Sequence, residues 1–170
     1  MSTTKKSSEN TSLDTFCYVK DEISVYKPLK VKINTPDSPT ITVIDKDIEV
    51  VLNKADIIPI LSSEDLVAPP NDLVHLSEVN NASILHSLRE RFYKDLIYTS
   101  IGSILVAINP FKWINNLYHE SLMARYASHE YTLGSNPHVF AIAQKAFEGT
   151  SLLSYSLFNT INSLHNSLNN

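Results

Sequence analysis

The chain has 170 residues, a hydrophobic fraction of 43%, a net charge of −4 and one cysteine, Cys17. That length carries one domain or two small ones, and the mildly acidic balance leaves no electrostatic case for nucleic acid or an anionic membrane surface. A lone cysteine excludes an intrachain disulfide framework and fits a reducing compartment.

Residues 1–14, opening "MSTTKKSSENTS", are Ser/Thr/Lys-rich and lack the apolar core of a secretory signal; they read as a disordered tail. Residues 15–60 read as all-β. Four or five β-branched and aromatic runs are separated by Pro- and Asp-rich breaks, "NTPDSP" and "DKD", with alternation at Ile41/Val43 and Ile48/Val50. The expected unit is a small antiparallel β-barrel, read in itself as a sheet without a site. Residues 61–71 form a linker stiffened by Pro69-Pro70.

From residue 72 the pattern becomes α/β. "NNASILHSLRERF" has capping residues ahead of a stripe of Ile84, Leu85, Leu88 and Phe92, which predicts a helix. "LIYTSIGSILVAI" predicts a hairpin turning around Ser100–Gly102, with a second strand apolar enough to be covered on both faces. The longest apolar stretch, Leu96 to Ile108, has 13 residues with four polar or glycine breaks, against ~20 needed to cross a bilayer. No membrane partner is expected, and the default location is the cytosol. "ESLMARY" predicts a short helix. "SNPHVFAIAQKAFEG" predicts another, capped by Asn136, opened by Pro137, striped by Val139, Phe140, Ala143 and Phe147, and ended by Gly149. Residues 150–170 are uncharged and rich in Ser, Asn and Leu. Leu153, Leu157, Leu164 and Leu168 could share a helical face, but Asn and Ser are poor helix formers.

The chemistry is sparse. Three glycines, at 102, 134 and 149, cannot build a phosphate cradle. His119-Glu120 and His129-Glu130 are ten residues apart, whereas a helical ligand pair needs three or four; they read as surface histidines. His75, His86 and His138 lie beside apolar positions and read as packing residues. Arg89, Glu90 and Arg91 read as a solvated face or, alternatively, as part of a buried ion pair. Trp113 is expected to be exposed, either anchoring a partner or covering an apolar edge. No complete catalytic set can be named.

Over residues 72–149, 78 of the 170, the chain resembles the start of the myosin motor head. The motifs are "DLVHLSEVNNASILHSLRERFYKDLIYTSIGSILVAINPFKWI" and "NPHVFAIAQKAF" in the family's order; residues 15–60 more weakly resemble the β-barrel that precedes many such heads. The fold class implied is α+β / α/β: a small barrel, then the first helices and hairpin of an incomplete P-loop-type motor domain, truncated before the phosphate-binding loop, with 150–170 as a divergent tail. The resemblance places Asn109, Pro110, Phe111, Lys112 and Tyr118, in the loop 109–118, on the adenine side of an ATP pocket. That loop is one residue longer than usual before Tyr118, with Asn115-Asn116 where proline is common. The resemblance implies an ATP-driven, actin-based cytoskeletal motor using ATP and Mg, with actin filaments and myosin light chains as partners. The family's phosphate loop, switch loops and actin- and light-chain-binding regions are missing from the sequence. The chain alone is therefore expected to have no ATPase activity and to bind nucleotide weakly. The competing reading is an autonomous β-barrel interaction module with no enzymatic activity.

Overall fold

The computed structural model describes residues 15–168, with side chains to Leu157; the expected N-terminal tail and the side chains of Leu164 and Leu168 lie outside the described residues. The chain divides into two compact units. The first comprises residues up to Pro69 with Ser77–Ser87, the second Pro70–Leu76 with Leu88 onward.

The first unit is built on five strands: β1 (Phe16–Asp21), β2 (Val25–Ile33), β3 (Thr40–Asp45), β4 (Ile48–Asn53) and β5 (Ile57–Ile60). They pair antiparallel in the order β4-β3-β2-β1-β5. The β3–β4 turn is Lys46-Asp47, both at positive φ, the backbone that lets two residues connect right-twisted strands. Alternation puts Cys17, Leu29, Ile41 and Val43 into one core, flanked by Val19, Val31, Val50, Leu52 and Ile57. Burying each large apolar side chain there contributes about 1.5–3 kcal/mol. Ile48 is exposed, so the inward partner of Val50 is Leu52 rather than Ile48.

The sheet is not the closed barrel expected. Its edge strands are β4 and β5, and β5 has four residues including Pro59, which cannot donate to a further ladder. Pro28 sits in β2 at a level paired with Tyr18 of β1, outside the segment that pairs with β3, so no ladder donor is lost there. The linker is not featureless. It holds a helical turn, α1 (Glu64–Val67), and Leu66 offers its carbonyl to the buried His86 ring at 3.0 Å.

Helix α2 (Asn81–Tyr93) starts on Asn80, whose Oδ1 accepts from the N–H groups of Ala82 and Ser83, both at 2.9 Å. Its buried positions are Ala82, Ser83, His86, Ser87 and Arg91; the apolar stripe Ile84, Leu85, Leu88 and Phe92 is only half-buried. The small and polar side turns inward because each polar group there finds an acceptor. The Ser83 hydroxyl donates to the Glu78 carbonyl and the Ser87 hydroxyl to the Ser83 carbonyl, both at 2.8 Å.

In the second unit, β6 (Tyr98–Ile101) and β7 (Ile104–Ala107) form a hairpin whose two-residue turn is Gly102-Ser103, sharing Gly102 with the turn expected at Ser100–Gly102 and ending one residue later. Gly102 has φ +59, a conformation side chains resist. The other side of β6 is not bare. Asp72 makes a parallel bridge with Ser100, Ser100 N–H donates to the Asn71 carbonyl at 3.0 Å, and Gly102 N–H donates to Asp72 Oδ1 at 3.0 Å. Gly102 N–H, and then Val74 N–H, hold the Asp72 carboxyl below its ordinary pKa against the opposing effect of desolvation. β7 is not covered on both faces: Ile104 and Ala107 are exposed, Leu105 and Val106 half-buried.

Helix α3 (Glu120–Ala127) is followed by α4 (Val139–Leu168). α4 starts two residues after Pro137 and continues through Gly149 instead of ending there. Gly149 lies in open space and lacks the positive φ that would turn the chain out of the helix. His138, the residue before it, and Ala141 near its start are buried; Val139, Ala143 and Phe147 face outward. Among the described residues, no helix is long and apolar enough to cross a membrane.

Candidate functional site

The loop of interest begins where β7 ends. Asn109 Oδ1 accepts from Phe111 N–H at 2.9 Å, a side-chain turn that reverses the chain and leaves Phe111 at φ 50 with its ring 90% exposed. Pro110 has no N–H, so the strand cannot continue as a ladder through it. Lys112 Nζ pairs with Asp95 Oδ1 at 2.5 Å. Asp95 lies just before β6 and Lys112 just after β7, so the pair clasps the open end of the hairpin. Trp113 is exposed, as its place in a polar loop predicts.

The far arm of the loop is held differently. Tyr118 is half-exposed, and its hydroxyl meets that of Tyr98 at 2.8 Å. Burial, and then this hydrogen bond, pushes the Tyr98 hydroxyl up to about 12. Behind both rings lies His138, 3% exposed. Its ring centroid is 4.8 Å from Tyr98, 5.7 Å from Tyr118, 5.6 Å from Tyr126 and 4.5 Å from Phe140. Tyr126, itself buried, donates its hydroxyl to the Asn136 carbonyl at 2.8 Å and is also raised to about 12, chiefly by burial.

Trp113, Ile114, Asn115, Asn116, Leu117, Tyr118 and His119 line an open hollow of about 640 Å³. Of the five candidate residues, Tyr118 alone is among them; Asn109, Pro110 and Phe111 form the first turn of the loop, and Lys112 is drawn to Asp95. The two Asn-for-Pro positions, Asn115 and Asn116, thus become part of the wall. His119 is exposed and caps α3, its Nδ1 accepting from Ser121 N–H at 3.2 Å.

Three further residues brace this segment: Arg91 and Asp72 hold the hairpin, and His138 holds the loop. Arg91 is buried, contrary to the solvated face expected. It donates to Thr99 Oγ1 at 2.9 Å, the Tyr98 carbonyl at 2.9 Å and Asn71 Oδ1 at 2.8 Å. Burial lowers its pKa. Asp72 ties the hairpin turn. His138, expected only to pack, anchors the loop by hydrogen bonds. The sequence signal for His138 was its place beside apolar positions, whereas Arg91 lay in the charged run Arg89-Glu90-Arg91 and Asp72 in a polar stretch after Pro69-Pro70. His75, by contrast, is exposed and not a packing residue.

Comparison with known proteins bears on the same segment. Residues 70–155 match the myosin head (motor domain) family. The chain is 40% identical to myosin IC heavy chain of Dictyostelium discoideum over 77 residues, 45% of this chain and 6% of that protein. It is 40% identical to myosin-13 of Arabidopsis thaliana over 88 residues, 49% of this chain and 6% of that one. With unconventional myosin-VI of Homo sapiens the identity is 38% over 96 residues, 56% and 7% respectively. The sequence therefore spans a small part of the relatives' length, and over the part it shares, carrying the hairpin, the loop 109–118 and the start of α4, the chain belongs to the myosin head (motor domain) family.

Proposed function

We propose that residues 109–118 form the adenine side of the ATP site in a cytoskeletal, actin-based motor, and that the 170-residue chain by itself is inactive. The observation that carries this reading is Tyr118: a half-exposed aromatic hydroxyl, fixed by Tyr98, on the wall of a hollow at the end of a strand. Strand ends are where α/β sheets commonly take ligands. Adenine fits what the hollow offers: a flat base can meet the Tyr118 hydroxyl, the amides of Asn115 and Asn116, and an indole. In this role the chain's own residues orient the base.

Triphosphate and Mg do not fit in the same way. The loop's cation, Lys112, is paired with Asp95, and the described residues contain no group of three His, Cys, Asp or Glu side chains able to hold a metal. Phosphoryl transfer needs groups that stabilise phosphate charge, and these residues supply no step of it. Base contacts alone must also overcome ~4–15 kcal/mol of lost freedom on association. Actin filaments and myosin light chains are partners of the motor reading, and we assign neither to a surface of this chain.

Trp113 is the sole tryptophan, so its emission reports on the loop. Titrating the chain with ATP is expected to perturb it only at millimolar concentration, equally with and without Mg, and without phosphate release. Micromolar, Mg-dependent binding or measurable hydrolysis would overturn the inactive reading. A second reading, an interaction module, is favoured by the 90% and 84% exposure of Phe111 and Trp113. It requires saturable binding of another protein that is lost on Phe111→Ser with Trp113→Ser.

A further inference from the structure

His138 is poised between two backbone segments. Its Nε2 lies 2.9 Å from the Leu117 carbonyl, the last peptide before Tyr118, and its Nδ1 accepts from Phe140 N–H at 3.1 Å in the first turn of α4. A carbonyl can only accept and an N–H can only donate, so the two contacts require the neutral ring protonated on Nε2. We infer that neutral His138 is the positioning residue of the loop 109–118, holding Tyr118 in place by binding the Leu117 carbonyl while it caps α4, and that protonation of the ring releases this arrangement. The inference depends on the adenine reading only for the identity of what Tyr118 faces.

The chemistry of release is simple. A second proton must go on Nδ1, which would then point an N–H at the Phe140 N–H. The cap is lost, and the ring must turn out of its slot, taking its Nε2–H from the Leu117 carbonyl. The groups facing the ring are Tyr98 from β6, Tyr118 from the loop, Tyr126 from α3 and Phe140 from α4 itself. Tyr98 and Tyr126 titrate only near 12, so neither supplies a negative charge to stabilise an imidazolium at acidic or neutral pH.

Burial lowers the pKa of His138, opposed in part by its bond to Leu117. A group neutral in the fold and more easily protonated when unfolded stabilises the fold fully above its unfolded value, about 6.5. That contribution is lost as pH falls through the lower folded value. The loop is therefore held at neutral pH and let go in acid.

The test is NMR of the whole chain with labelled histidine and tyrosine between pH 7.5 and 4.5. The expected result is the Nε2–H tautomer at neutral pH and a His138 midpoint below 6.5, with Tyr118 and Phe140 signals moving at that same midpoint. The opposite tautomer, a midpoint at or above 6.5, or Tyr118 signals that stay still while His138 titrates would each overturn the inference. His138→Asn sharpens the test. Its Oδ1 can still accept from Phe140 N–H, but its amide is a bond too short to replace Nε2. The start of α4 is expected to persist while Tyr118 loses its fixed environment and its pH step; Tyr118 unchanged in this variant would also overturn it. Adding ATP separates the two readings. If ATP leaves Tyr118 untouched, the adenine assignment falls, while the pH step still decides the role of His138.

Discussion

Arg91 is a permanent charge taken out of water and surrounded by neutral oxygens. Its guanidinium fork spans Asn71, the Tyr98 carbonyl and Thr99 at once, a geometry that an ammonium group cannot reproduce. Arg91→Lys is expected to lower stability by about 1–3 kcal/mol through the acceptors left unpaired, read as a drop in the urea midpoint with an unchanged slope. Arg89→Lys, on the less buried side of the same helix, is expected to move it by less than about 0.5 kcal/mol. Hydropathy could not separate these two arginines, because what buries Arg91 is its partners, which are brought to it from 20 residues upstream and 7–8 downstream. His138 was hard to recognise as a cap for a related reason. Capping preferences name Ser, Thr, Asp and Asn, and Asn136 drew the assignment to itself.

At the level of elements, two glycines separate helix from turn. Gly149 lies inside α4 with nothing near its missing Cβ, whereas Gly102 has φ +59. Gly149→Ala is expected to stabilise the helix by about 0.5–1 kcal/mol, with higher ellipticity at 222 nm. Gly102→Ala, although also in open space, is expected to cost about 1–2 kcal/mol, since a side chain there must adopt a left-handed backbone; its thermal midpoint should fall. The existence of α2, α3, the hairpin and the strands was legible from periodicity and β-branched runs. Their buried faces were less so. In α2 the sequence shows an apolar stripe at Ile84, Leu85, Leu88 and Phe92, yet Ser83, Ser87 and Arg91 are the residues enclosed. The amphipathic rule ranks faces by hydropathy, and it fails where polar groups are satisfied by nearby carbonyls.

Across the whole chain, the two units differ in how well they enclose apolar surface. The five-stranded sheet has its own core, whereas the second unit leaves Ile104, Phe147, Leu152, Leu153 and Leu157 largely exposed. Exposed strand edges and contiguous apolar patches invite association. Sedimentation of the whole chain is expected to show apparent mass rising with concentration, and less so after Ile104→Lys with Leu153→Lys; a monomer at all concentrations would count against this. The barrel's lack of closure was not legible, because alternation sets which face is inward and says nothing about whether edge strands meet. The motif picked out the loop 109–118 as a candidate site, but its clasp on Asp95 and its support from Tyr98 and His138 required the fold. The bridge from Asn71-Asp72 to β6 has a kinetic consequence. Arg91 meets β6 across only 7–8 residues, whereas Asn71 and Asp72 reach Ser100 and Gly102 across 29–30. Short loops close at lower entropic cost, so the α2–hairpin corner can condense first, leaving the 71–72 segment to dock afterwards. Weakening Asp72 should then speed unfolding more than it slows folding.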